Sequence, residues 1–125
     1  MRFAAVSFAA MLVGCAAPEP PPKPPQQPRE LAGRVAGPPE RCVLIQPSEA
    51  LRVSENDRQT LLYGTGRTIW ANRVGPGCGF SRDDILVSEP IGSHYCHGDV
   101  VRSFDRFTRI PANSCRLGDF VAYTR

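Results

Sequence analysis

Leu61-Leu62-Tyr63-Gly64-Thr65-Gly66-Arg67-Thr68-Ile69-Trp70 places two short apolar runs on either side of a glycine-rich reversal. Glycines permit the positive φ that a tight reversal needs, and β-branched and aromatic neighbours suit a pleated surface, so residues 58–73 read as a β-hairpin. In its second strand Ile69, Ala71 and Arg73 face one side while Thr68, Trp70, Asn72 and Val74 face the other. Neither side is cleanly apolar, and Trp70 is the expected core anchor.

The same short-strand texture continues downstream. Residues 74–79 are a Gly- and Pro-rich loop, after which Ser81 is placed to cap a single helical turn over Arg82-Asp83-Asp84. Ile85-Leu86-Val87 reads as a strand that ends at Pro90, residues 99–104 as another, and Phe120-Val121-Ala122-Tyr123 as a terminal strand. Ile110-Pro111-Ala112-Asn113-Ser114 reads as a turn-forming loop, and the hydrophobic periodicity nowhere sustains a long helix. The expected fold is mainly β: a small antiparallel barrel-like or sandwich domain.

A domain spanning residues 40–125 would bury only about 60 to 65 per cent of its unfolded surface, which leaves it marginal without further restraint. Cysteines supply that restraint. Of the five in the chain, Cys42, Cys78, Cys96 and Cys115 fall in this region, and none is part of a C-x-x-C pair. Two disulfides are therefore expected in preference to a zinc site, each contributing about 3 to 4.5 kcal/mol in the chain-entropy model. Four cysteines allow three connectivities, which sequence does not choose among. Cys42 with Cys115 would tie the ends and Cys78 with Cys96 the middle loops, and this is the pairing expected from position.

The N-terminus has a different character. Met1-Arg2 gives a positive start, residues 3–13 form an apolar run broken only by Ser7, and Gly14 sets a small residue before Cys15. The run is too short to span a bilayer permanently and reads as a signal peptide over residues 1–14. Leu12-Val13-Gly14-Cys15 resembles the lipobox of bacterial lipoproteins, which implies acylation of Cys15 after cleavage, in preference to an ordinary secretory cut near Ala16-Ala17. Ala16 is not the aspartate that resembles an inner-membrane retention signal, so the outer membrane, facing the periplasm, is the expected location.

Residues 15–39 follow as the lipidated cysteine and a tether. Seven of the 13 prolines lie in residues 18–28. Proline fixes φ and removes the amide donor, so these eleven residues should sample polyproline II and span about 34 Å. A spacer is favoured here over a P-x-x-P ligand for a partner groove.

The formal net charge is +3 and the pI 8.8, but residues 38–125 hold 11 Arg and no Lys against 10 Asp and Glu. That balance is no nucleic-acid footprint. His94-Tyr95-Cys96-His97 with Asp99 is the most metal-like cluster, yet with Cys96 oxidised only weak ligation remains, and no metal or cofactor is expected. Asp83-Asp84 with Glu89 is read as capping or solvation in preference to an acid–base pair. Ser81, Ser93 and Ser103 lack the strand-elbow setting of a nucleophile, and Gly64 and Gly66 lack the helix and partners of a phosphate loop. Arg102, Arg106 and Arg109 with Phe104 and Phe107 form the densest basic-aromatic stretch, suited to an anionic polymer or lipid headgroups, though Asp99 and Asp105 dilute its field.

Residues 66–72, Cys78-Gly79-Phe80, Gly92-Ser93-His94-Tyr95-Cys96 and residues 114–120 together resemble a family of short uncharacterised proteobacterial exported proteins and lipoproteins with four ordered cysteines. The resemblance covers roughly residues 42–120. It implies a small disulfide-bonded β domain in the envelope with structural roles for Cys42, Cys78, Cys96 and Cys115, and it carries over no catalytic or binding residue. The expected function is that of a non-enzymatic envelope lipoprotein whose domain contacts a partner protein or cell-wall component. The alternatives are a membrane-proximal enzyme or enzyme modulator using His94, His97 and Asp99 or Asp83 and Asp84, and a metal- or redox-sensing module with a labile disulfide.

Overall fold

The computed structural model describes Gly14, residues 17–21 and residues 26–125. Cys15, the expected lipidation site, lies outside the described residues, as does the signal segment apart from Gly14. The described chain is mainly β, with a 3-10 turn at Arg29–Leu31 and ten strands. These are β1 (Val35–Glu40), β2 (Cys42–Leu44), β3 (Arg52–Val53), β4 (Thr60–Tyr63), β5 (Thr68–Arg73), β6 (Ile85–Ser88), β7 (His94–Cys96), β8 (Val100–Phe104), β9 (Pro111–Arg116) and β10 (Phe120–Thr124).

They form three antiparallel sheets, ordered β1-β10-β5-β4-β3, β2-β7 and β6-β8-β9. The sheets stay open, so the architecture is sandwich-like, not a closed barrel. The β4–β5 hairpin forms as its sequence requires, with Tyr63 opposite Trp70 and both turn glycines at positive φ, 85° for Gly64 and 80° for Gly66.

The five-stranded sheet is packed fully on its inner face and partly on its outer face. On its inner face Leu61, Tyr63, Val74 and Phe120 pack with Val43, Phe80, Val101, Cys115 and Leu117. Phe80 and Phe120, both fully buried, centre this cluster. Trp70, the anchor expected from sequence, is only partly buried and packs against its edge. On the outer face Leu62 and Ile69 are covered by Leu31, itself 0% exposed.

Leu31 shifts the boundary between tether and domain. The folded unit begins upstream of residue 40, because Leu31 is in the core and β1 pairs with β10, placing Glu40 opposite Phe120 and Val35 opposite Thr124. Pro38 and Pro39 are tolerated in β1 because it is an edge strand with a register shift between Ala36 and Pro39. The carboxylate of Glu30 accepts from the Ser54 hydroxyl (3.1 Å) and the Glu55 amide (2.8 Å), which holds the 3-10 turn down. Pro111 likewise begins an edge strand, so residues 110–114, expected as a loop, are mostly strand β9.

The two disulfides join Cys42 to Cys96 and Cys78 to Cys115. Both expected bridges, Cys42–Cys115 and Cys78–Cys96, are thereby corrected. The reason is register: β2 and β7 pair so that Cys42 is directly opposite Cys96, with Cα atoms 4.1 Å apart. The ends of the domain are tied by β1–β10 pairing, so no bridge is needed there. Cys78–Cys115 fastens the loop leaving β5 to β9.

A side-chain clamp fixes the turn into β10. Fully buried Asn72 donates to the Gly118 carbonyl (2.7 Å) and accepts from the Gly118 amide (2.8 Å). A Cβ on Gly118 would stand 2.5 Å from the Arg73 carbonyl oxygen, so only glycine fits this approach.

Leu31→Ala should destabilise the domain by about 3 kcal/mol, the cost of a buried leucine cavity, in urea unfolding. Pro20→Ala, on the exposed tether, should leave the midpoint unchanged.

Candidate functional site

The outer face of the five-stranded sheet is only partly covered by Leu31, and beside that leucine runs a groove of about 500 Å³. Strand pairing brings its floor together: Val121 lies opposite Ala71, Tyr123 opposite Ile69 and Ala36. Residues 26–28 form one wall. Arg34 stands towards one end, where β1 begins, while Arg73 and Asp119 stand towards the other.

The ends differ electrostatically. Arg73 Nη1 is paired with Asp57 at 3.1 Å, and its Nη2 donates to the Gln59 side chain at 2.8 Å. The Asp119 carboxylate lies 2.7 Å from His97 Nδ1, so the histidine reaches the groove's rim through this carboxylate. Arg34 donates from Nη1 to the Arg67 carbonyl at 2.7 Å, but its buried Nε has no hydrogen-bond partner. Desolvation, and then the nearby Arg125, hold the Arg34 pKa below the ordinary arginine value, although an arginine remains protonated at any physiological pH. The groove thus has an apolar floor and, at its Arg34 end, a guanidinium without a carboxylate partner among the described residues.

The residues nominated from sequence go elsewhere. His94 Nδ1 lies 3.1 Å from the Ser93 hydroxyl, His97 turns to Asp119, and the Asp99 carboxylate accepts from the Cys96 amide at 2.8 Å. The metal-like cluster is therefore dispersed, and no group of three or more His, Cys, Asp or Glu among the described residues could hold a metal ion. Asp84 accepts from the Ser81 amide at 2.9 Å across a tight turn, so the expected helical turn capped by Ser81 is replaced by a turn in which the aspartate does the bracing. Ser103 is fully buried and accepts from the Asn113 amide.

The basic-aromatic stretch becomes the β8–β9 hairpin tip. Asp105 accepts from the amides of Phe107 (2.9 Å) and Thr108 (2.8 Å) and from the Thr108 hydroxyl (3.1 Å). Phe107 is 83% exposed and Ile110 62%.

The groove is not legible in the sequence. Its walls come from residues 26–36, whose composition reads as tether, and from strands far apart along the chain. No family model, curated protein or solved structure matches this chain. No helix among the described residues is long and apolar enough to cross a membrane.

The hydrogen bonds from Thr108 and Phe107 hold the Asp105 pKa below the usual carboxylate value. A depressed folded pKa means that the tip is stabilised above the unfolded carboxylate pKa and loosens as the pH falls through the folded value. The amide resonances of Phe107 and Thr108 should therefore titrate with a midpoint below the ordinary aspartate value, and Asp105→Ala should abolish that titration.

Proposed function

We propose that the chain is a non-enzymatic envelope lipoprotein, anchored through acylated Cys15 in the outer membrane and facing the periplasm, whose β domain is a contact module for an envelope protein or cell-wall component. The observation that carries this reading is the open groove with its apolar Ala36–Ala71–Val121–Tyr123 floor and under-compensated Arg34. Such a surface suits an extended segment carrying an anionic group, since apolar contact supplies area while a guanidinium fixes orientation. Anchor and tether place that surface. Pro28 is buried and the Gln27 carbonyl accepts from Asn56, so the tether joins the folded unit before residue 28.

The test is crosslinking and affinity isolation from the protein's own envelope. The wild-type chain should take up labelled palmitate and capture a specific partner, and Cys15→Ala should do neither. Ala36→Glu, an exposed edge-strand substitution that sets a carboxylate beside Arg34, should lower capture about tenfold, a loss of about 1.4 kcal/mol. Val87→Glu, on a different sheet, should not. Capture of the same partner by wild type and Ala36→Glu alike would contradict the groove, and absence of any partner would contradict the contact-module reading.

A further inference from the structure

The β8–β9 tip is built as a rigid projection. Beyond the three bonds to its carboxylate, Asp105 donates from its amide to the Ile110 carbonyl (3.0 Å) and accepts from the Arg109 amide (2.9 Å). Arg109 holds a left-handed φ of 61°, a conformation that costs energy in a non-glycine residue and is kept here by those bonds. The turn's polar groups are thus used internally, while Phe107 and Ile110 stand in solvent.

Its charge is cationic by a margin of one: Arg106 and Arg109 outnumber Asp105, whose carboxylate is turned to the Phe107 and Thr108 amides, and Arg109 has no ion-pair partner among the described residues. Arg106 donates from Nε to the Asp83 carbonyl at 3.3 Å, and Arg102 makes only a loose exposed pair with Glu89 at 3.7 Å. Behind the tip, Asp83, Asp84 and Glu89 are set against Arg82 and Arg102, which leaves Arg106 and Arg109 as the cations of the tip itself.

A relay of contacts links the tip to the start of the folded unit. Asn56 binds the Gln27 carbonyl and the Arg29 amide, Arg58 next along that loop donates to the Phe80 carbonyl, and the turn after Phe80 carries Asp83, which Arg106 reaches.

We propose that this tip docks on an anionic phospholipid bilayer, Phe107 and Ile110 entering the interface while Arg106 and Arg109 meet the headgroup phosphates. Two side chains on a convex turn are too little for a stable protein interface, which buries about 1,200 Å² or more. They suffice at a membrane to which the chain is already tied, because a short tether holds the domain at about millimolar effective concentration. This part rests on the Cys15 anchor, and the tip then fixes how the domain sits.

The test uses the full chain with Phe107→Trp, reconstituted in vesicles containing brominated lipid. The wild-type chain, whose single Trp70 is partly buried, gives the baseline. Tip fluorescence should be quenched in phosphatidylglycerol-rich vesicles and not in phosphatidylcholine alone. Arg106→Glu and Arg109→Glu should each lower the docked-to-undocked ratio read from that quenching at least about fivefold, the effect of one surface cation at an anionic membrane. Quenching no greater than the Trp70 baseline, quenching indifferent to both charge reversals, or protection of the tip by an envelope protein but not by vesicles would overturn the proposal. The intact mass is read on the same sample: a missing acyl group would remove the anchor reading, while the quenching of that chain at about millimolar lipid, the concentration the tether would supply, still decides the tip.

Discussion

The one sheet wide enough to separate two apolar clusters sets the rest of this domain. Its inner face is closed by Phe80, Val101, Leu117 and Val43, drawn from segments that do not belong to it. Those segments are short, and the two-stranded β2–β7 pair has little area with which to hold itself down. The two disulfides stand where that weakness lies. Cys42–Cys96 locks the small pair across its strands, and Cys78–Cys115 fastens the three-stranded sheet to the loop that leaves β5. In a chain-entropy description, bridges closing loops of 54 and 37 residues each contribute about 4 kcal/mol, comparable with the whole stability of so small a domain.

The outer face is treated differently, and that difference creates the candidate site. Leu31 buries Leu62 and Ile69, while Ala71 and Tyr123 pack against that cluster only partly buried, so part of the face stays open as a groove. The 3-10 turn that carries Leu31 is pinned by Glu30 and Asn56. The strand that follows it brings Ala36 to the groove, with Arg34 just before it at one end. Cover and site are thus two consequences of one segment folding back over the sheet.

That segment was also the least readable. The β4–β5 hairpin was legible because its glycines and β-branched residues state their conformation locally. β1 was not: beyond Val35, Ala-Gly-Pro-Pro-Glu disfavours a strand, and only its position at an edge, a tertiary fact, lets two prolines sit there. Pro111 hid β9 for the same reason. The number of disulfides followed from counting, but their pairing depends on the β2–β7 register, which no local pattern encodes. Nothing local in the sequence marks Asn72 as the clamp on Gly118, and Phe80 and Phe120 are buried ahead of Trp70 because burial is decided by what packs on the sheet from outside. For the site, the sequence marked the Arg102–Arg109 stretch but not the groove, since one is contiguous and the other is assembled by pairing.

Peptide mapping of the oxidised protein by mass spectrometry, without reduction, tests the account most directly. The fold described here requires linked peptides containing Cys42 with Cys96 and Cys78 with Cys115. Peptides linking Cys42 to Cys115 or Cys78 to Cys96 would contradict the β2–β7 register and, with it, the way the smaller sheets close the core.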